Sequence, residues 1–128
     1  MTTILVVDDE APILDLVRFT LEDADVRVEE ASDGAQALVL ARRLRPDLVL
    51  LDVHMPKLSG LEVCRRLRSD AAFAHTRIVM LTAAGQEDDR ARGREAGADE
   101  YLTKPFSPLA LLALVEALVP ETRSWRPT

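Results

Sequence analysis

The sequence predicts an α/β domain, a doubly wound parallel sheet with helices on both faces. Three observations carry that reading. Strand-like and helical patterns alternate five times along the 128 residues, the order that builds parallel sheets with right-handed crossovers. The runs Ile4-Leu5-Val6-Val7, Leu48-Val49-Leu50-Leu51 and Ile78-Val79-Met80-Leu81 show no in–out alternation, as strands buried on both faces do not. Val26-Arg27-Val28-Glu29 does alternate, as an edge strand with one wetter face would.

Each element has its own local reasons. Thr2-Thr3-Ile4-Leu5 follows the opening methionine, which puts the first strand at the start of the chain. That strand runs into Asp8-Asp9-Glu10, and Pro12 suits the first turn of the helix that follows. Leu14, Val17 and Leu21 share its inward face, widened by Ile13 and Leu16. After the edge strand, Ser32-Asp33-Gly34 is turn and cap chemistry. Ala37, Leu38, Ala41 and Leu44 then mark the core side of the second helix, and Arg42, Arg43 and Arg45 keep the rest wet and complement the helix dipole. Pro46 stops it. The third strand ends on Asp52, ahead of a turn at Met55-Pro56. Lys57-Leu58-Ser59-Gly60 is a loop, and Leu61, Val63, Cys64 and Leu67 make the next helical face. The fourth strand gives way to Thr82-Ala83-Ala84-Gly85. The charge-rich segment 86–96 is expected to be a poorly anchored helix with a thin, mainly alanine face. Asp99-Glu100-Tyr101-Leu102-Thr103 is a short last strand, and Lys104-Pro105-Phe106 follows it. Ser107 and Pro108 read as the cap and first position of a final helix over 109–119, whose one charge is Glu116. Residues 1–119 thus make one domain, and 120–128 a solvated tail or linker stub in which Trp125 has no predicted home.

Composition removes several classes of function. A net charge of −6 leaves no basic excess to replace counterions on a nucleic acid. There is no apolar run of membrane-spanning length and no signal peptide. A lone cysteine, Cys64, forms no internal disulfide and is expected to be a packing residue. These features suit a cytoplasmic protein. Positive charge is almost all arginine, and the only lysines are Lys57 and Lys104. A lysine kept against that bias marks a site that wants a compact ammonium, more so for Lys104, given its neighbours, than for Lys57.

In open parallel sheets the site lies beyond the carboxyl ends of the strands. Asp8 and Asp9, Asp52, Thr82 and Lys104 all fall there. Taken singly, each is ordinary: a helix cap, a loop acid, a solvated charge run, or a network that only steadies strand ends. Together they are not. Carboxylates about 5 Å apart repel by roughly 3 kcal/mol per pair at an effective dielectric near 20. A proton or cation must relieve that, and hard carboxylate oxygens suit Mg2+. A phosphoryl group next to such an ion needs its equatorial oxygens compensated at three places. The ion serves one, Lys104 a second, and the Thr82 hydroxyl with nearby backbone N–H groups the third. Asp52, central and alone on its strand, is the carboxylate placed to act as nucleophile.

Asp8-Asp9, Asp52 with Met55-Pro56 and Gly60, Thr82-Ala83, and Tyr101-Leu102-Thr103-Lys104-Pro105-Phe106 occur in the order and spacing of a known family. Over residues 3–119 the chain resembles the receiver domains of bacterial two-component response regulators, the chemotaxis receivers among them. The resemblance implies a flavodoxin-like sheet of strand order 2-1-3-4-5. It implies that Asp52 accepts phosphate from a phosphohistidine on a sensor histidine kinase or phosphotransfer protein. The metal, Mg2+ or Mn2+, would be held by Asp9, Asp52 and the backbone carbonyl of His54, with Asp8 acting through water. A cis peptide before Pro105 would help place Lys104. Thr82 and Tyr101 would be the switch, with phosphorylation altering the surface of the fourth helix, fifth strand and fifth helix.

Two positions vary within the family pattern. His54 stands two residues after Asp52 and Ala84 two after Thr82, where a side chain can orient or exclude hydrolytic water. Ala84 cannot orient water, and a longer-lived phosphoryl state is expected from it; His54 either orients water, covers the site or does neither. On the last helix, Leu111, Leu112, Val115 and Leu118 pack on the sheet, and Leu109, Ala110, Ala113, Leu114 and Ala117 leave apolar surface over, a basis for a homodimer or a docked output module. Three rivals stand beside this reading. A small Mg2+-dependent aspartyl-phosphate phosphatase would use His54 as general acid but lacks a substrate cap. A flavin module would have its phosphate repelled by Asp8-Asp9-Glu10. A pseudo-receiver that only binds protein would have no need of the full polar set.

Overall fold

The structure, a computed structural model, describes residues 1–83 and 87–119. Five strands, β1 Thr2–Val7, β2 Val26–Ala31, β3 Leu48–Asp52, β4 Arg77–Ala83 and β5 Glu100–Lys104, form one sheet in the order β2-β1-β3-β4-β5. Every pairing is parallel. The helices are α1 Ala11–Leu21, α2 Gly34–Leu44, α3 Gly60–Arg68, α4 Glu87–Ala96 and α5 Pro108–Leu118, with a short 3-10 turn at Ala71–Phe73.

The pleat divides the core in two. Leu5, Val7, Val49, Leu51, Ile78 and Met80 point to the side covered by α2, α3 and α4. Ile4, Val6, Leu48, Leu50, Val79 and Leu81 point to the side covered by α1 and α5. With apolar cover on both faces, the central strands gain nothing from polar residues at alternate positions, which is why they read as unbroken apolar runs. Edge strand β2 keeps the wet face that the sequence predicts, with Arg27 exposed between buried Val26 and Val28.

Caps fix the helix starts. Asp33, Ser59 and Ser107 accept from the backbone N–H groups of Gln36, Glu62 and Ala110, each satisfying a donor that the first turn leaves orphaned. Cys64 is buried, its thiol directed at the Ala96 carbonyl at 3.4 Å, and burial pushes its pKa up to about 11. It is a packing residue, not a reactive one.

The structure departs from the sequence reading in particular places. Leu44 is only half-buried, whereas Leu14, though also half-buried, packs against the core as its spacing predicts. Asp99 precedes β5, and its carboxylate accepts from the Ile78 N–H and from Arg68. Arg68 was not legible as special, yet its guanidinium also reaches the carbonyls of Gly97, Phe73 and Thr76 at 2.7–2.8 Å. On α5, Leu114 joins Leu112 and Leu118 against the core, so Leu109, Ala110, Ala113 and Ala117 make up the exposed remainder. The inward face of α4 is not mainly alanine. Ala91 is exposed, and the buried residues are Asp89, Gly93 and Ala96. Gly93 lets the helix lie close to β4, since a Cβ there would come within 3.0 Å of Met80. Asp89 can be buried because it finds a polar partner from another loop.

Gly60 sets how closely α3 can approach the end of β3. A Cβ at this position would sit 1.9 Å from the carbonyl oxygen of Asp52. Gly60→Ala is therefore expected to cost about 2–3 kcal/mol of stability through forced backbone movement, read from urea denaturation. An unchanged midpoint and slope would contradict this packing.

Candidate functional site

The sheet register builds the site. Val7 pairs with Leu51, and Asp52 pairs with Leu81. Asp8 and Asp52 are thus each one step beyond that first pairing, and Thr82 one step beyond Leu81. Thr82 lies level with Thr103, and Ala83 with Lys104. Residues far apart in sequence meet at one end of the sheet because parallel strands all terminate there. Asp8, Asp9 and Asp52 offer oxygens that lie within 4.8 Å of one another. Asp8 is fully buried, Asp52 nearly so, and Asp9 is exposed.

Lys104 reaches into this group from the end of β5. Its Nζ donates to Asp8 at 2.9 Å and to Glu10 at 3.2 Å, and stands 3.5 Å from Asp52. Glu10 is an addition to the site, in which the sequence reading placed only the two acids before it. One ammonium among four carboxylates leaves the pocket negative. Burial, reinforced by the charge of Asp8, pushes Asp52 up to about 6 despite the opposing pull of Lys104. Asp8 is raised as well, burial outweighing its bonds to Lys104 and the Glu10 N–H. Burial would by itself lower the Lys104 ammonium, but its bond to Asp8 and the charges of Asp52 and Asp8 raise it. The site is short of positive charge, and its hard oxygen donors suit a divalent cation of the Mg2+ kind.

Around this centre the remaining residues take distinct places. Thr82 is buried at the end of β4. The Lys104–Pro105 peptide is cis. Lys57 sits exposed in the loop with a φ of 70°, a turn residue outside the polar cluster. Ala84 falls outside the described residues, as does Trp125. Tyr101 is half-buried, with the Arg90 guanidinium 4.3 Å and the Arg94 guanidinium 5.6 Å from its ring centroid; Arg90 also donates to the Thr103 hydroxyl at 3.3 Å. The four-residue spacing of those arginines put them on one face of α4, but nothing in the sequence aimed that face at Tyr101. His54 donates its backbone N–H to Asp52 Oδ1 at 3.4 Å, and its Nε2 lies 2.8 Å from Asp89 Oδ2 on α4. Asp89 is the functional candidate that sequence reasoning missed: within a charge-rich helix, one buried acid looks like its solvated neighbours.

The raised Asp52 has a consequence for the metal-free domain. A carboxyl whose folded pKa lies above its unfolded value adds stability below the unfolded value, and that stability is lost as pH rises through the folded one. For Asp52 the window runs from the ordinary 3.8 to about 6. At pH 7.5 with chelator present, Asp52→Asn is expected to stabilise the domain by about 1–3 kcal/mol, since each pKa unit corresponds to about 1.36 kcal/mol. The gain should shrink towards pH 4. Urea denaturation at both pH values checks this, and a destabilised variant at pH 7.5 would contradict it.

Comparison with known proteins agrees with this arrangement. A family profile described as "Response regulator receiver domain" matches residues 4–116. The DNA-binding dual master transcriptional regulator RpaA of Synechocystis is 47% identical over 122 residues, covering 95% of this chain and 51% of that protein. The phosphate regulon transcriptional regulatory protein PhoB of Pseudomonas aeruginosa is 46% identical over 120 residues, covering 94% and 52%. The chain thus spans about half the length of these curated relatives. Among solved structures, the Vibrio cholerae chemotaxis protein CheY4 superposes with a TM-score of 0.86 at 36% identity, covering 93% of this chain and 99% of the other. A beryllofluoride-activated DrrB receiver domain gives 0.83 at 36% identity, covering 94% and 98%. The chain belongs to the receiver-domain family of two-component response regulators.

Proposed function

We propose that Asp52 is the phosphoacceptor of a phosphorelay, taking its phosphoryl group from a phosphohistidine on a sensor histidine kinase or phosphotransfer protein. The observation that carries this is the Lys104 ammonium, bonded to Asp8 at 2.9 Å and 3.5 Å from Asp52 within one acidic cluster. A carboxylate oxygen of Asp52 attacks phosphorus, the P–N bond breaks, and the departing imidazole nitrogen keeps the electron pair and takes a proton from water. The product is an acyl phosphate on Asp52. Lys104 is close enough to follow the new charge by exchanging one carboxylate partner for a phosphoryl oxygen. Thr82, buried at the adjacent strand end, supplies a hydroxyl donor as the switch residue. Asp8, Asp9, Asp52 and the His54 backbone carbonyl would hold Mg2+ or Mn2+, which, when bound, neutralises charge on the phosphoryl oxygens.

Phosphorylation alters the surface made by α4, β5 and α5, where Tyr101 lies beneath Arg90 and Arg94. The exposed apolar residues of α5, Leu109 foremost at 77% exposed, form the contact for a second copy or an output module. RpaA and PhoB are named as transcriptional regulators, and a DNA-binding module is the output this reading favours. The receiver would occupy residues 1–119, with 120–128 as the link, would not itself touch nucleic acid, and would work in the cytoplasm. No helix among the described residues is long and apolar enough to cross a membrane.

Incubation with acetyl phosphate and Mg2+ is expected to add one phosphoryl group, read by intact mass, and Asp52→Asn should add none. Lys104→Ala should slow the addition by at least about tenfold, the effect of losing one charged donor to the transferring group. Sedimentation velocity on beryllofluoride-treated samples should show a dimer that dissociates without the mimic. Unaltered mass for the wild type, or steady turnover of small phosphate esters, would transfer the case to the pseudo-receiver or the phosphatase. A strict monomer in both states would remove the second-copy contact.

A further inference from the structure

Asp89 is an acid whose side chain is 2% exposed, on the helix with the most polar sequence in the fold. A buried carboxylate is costly unless it is bonded, and among the described residues its bond is to His54 Nε2 at 2.8 Å. His54 is otherwise an exposed loop side chain, 62% accessible. It has the freedom to lie elsewhere, so the bond to α4 is what gives it one orientation. The same residue donates its backbone N–H to Asp52 Oδ1 at 3.4 Å. Three residues therefore make one continuous chain: the Asp52 carboxylate, the backbone of His54, and Asp89 of α4.

We infer that Asp89 is a positioning residue that acts through the His54 imidazole, tying helix α4 to the loop beside Asp52 so that the state of Asp52 is felt at α4. This rests on the phosphoacceptor reading of Asp52. A ligand or phosphoryl group on Asp52 competes for the oxygen that His54 N–H now contacts, and any adjustment of the His54 backbone is transmitted through its ring to Asp89. By linkage, what holds α4 also biases the loop. Among the described residues, the other polar side-chain link from α4 to the sheet, Arg90 to the Thr103 hydroxyl, leads to β5 and not to the His54 loop, and the remaining buried positions of the helix are Gly93 and Ala96.

The test follows amide exchange in α4 of His54→Ala, Asp89→Ala, the double variant, and the conservative His54→Gln and Asp89→Asn. In chelator, either alanine should raise α4 exchange by about fivefold, with the double variant no worse than the singles, as expected for two ends of one interaction. Asn keeps an acceptor for the ring N–H and Gln keeps a donor for the carboxylate, so each should restore exchange to within about twofold of wild type. With Mg2+ and beryllofluoride, the wild type and both conservative variants should show a change in α4 exchange, and the alanine variants should lose most of it. Additive singles, or Asp89→Ala responding to beryllofluoride as fully as wild type, would overturn the proposal. So would Asp89→Asn behaving like Asp89→Ala, since that makes Asp89 merely structural. If Mg2+ and beryllofluoride leave the wild type unbound by calorimetry, the phosphoacceptor reading fails, and the chelator arm still decides whether the tie exists.

Discussion

Acidic side chains are held closer together than their charges tolerate, and the rest of the domain is arranged around that. Asp8, Asp9 and Asp52 converge within 4.8 Å, and one ammonium, Lys104, is shared between Asp8, Glu10 and Asp52. Burial of Asp8 and Asp52 removes the water that would otherwise screen those two. The repulsion appears as a raised Asp52 and a raised Asp8. A pocket poised this way gains free energy from any small cation that enters, and a carboxylate with that cation beside it can accept a group bearing negative charge.

Only a rigid frame can hold such a cluster. The five parallel strands end at one edge, and the two apolar cores above and below them fix the strand ends. The approach of α3 is set by a glycine whose replacement would collide with the Asp52 carbonyl. On one flank the frame is looser. Helix α4 buries an acid, a glycine and an alanine, and it is fastened by polar contacts: Asp89 to His54, Arg90 over Tyr101 and to Thr103, and the Cys64 thiol to Ala96. Polar contacts depend on partner geometry more sharply than apolar burial does. An element held by them is more readily shifted between arrangements than one fixed by apolar burial.

The fold was legible because burial on both faces writes itself into sequence. Uninterrupted runs such as Leu48–Leu51 have no other ready explanation, and alternation at Val26–Glu29 marks the edge. The polar cluster was legible for a related reason: acids, a hydroxyl and a lysine placed straight after apolar runs have to lie at strand ends. What stayed hidden depends on three-dimensional partners. Asp89 is one acid among several in its segment, and only the loop carrying His54 distinguishes it. Arg68 clamps three carbonyls and Asp99, but in sequence it is a basic residue at a helix end. Glu10 reads as an extension of an acidic run until Lys104 reaches it. Leu114 looked like surplus surface because α5 is apolar nearly all round and its periodicity leaves the inward direction undetermined.

If an ion relieves the crowded carboxylates, its binding depends on pH, and a calorimetric titration of Mg2+ across a series of pH values reads that dependence. Protons and the ion compete for Asp52, whose pKa is raised to about 6. Affinity should therefore strengthen by up to about tenfold per pH unit below that value and level off above about pH 7, with proton release accompanying binding at the lower pH values. Mg2+ binding that is absent, or that is indifferent to pH across this range, would contradict the account.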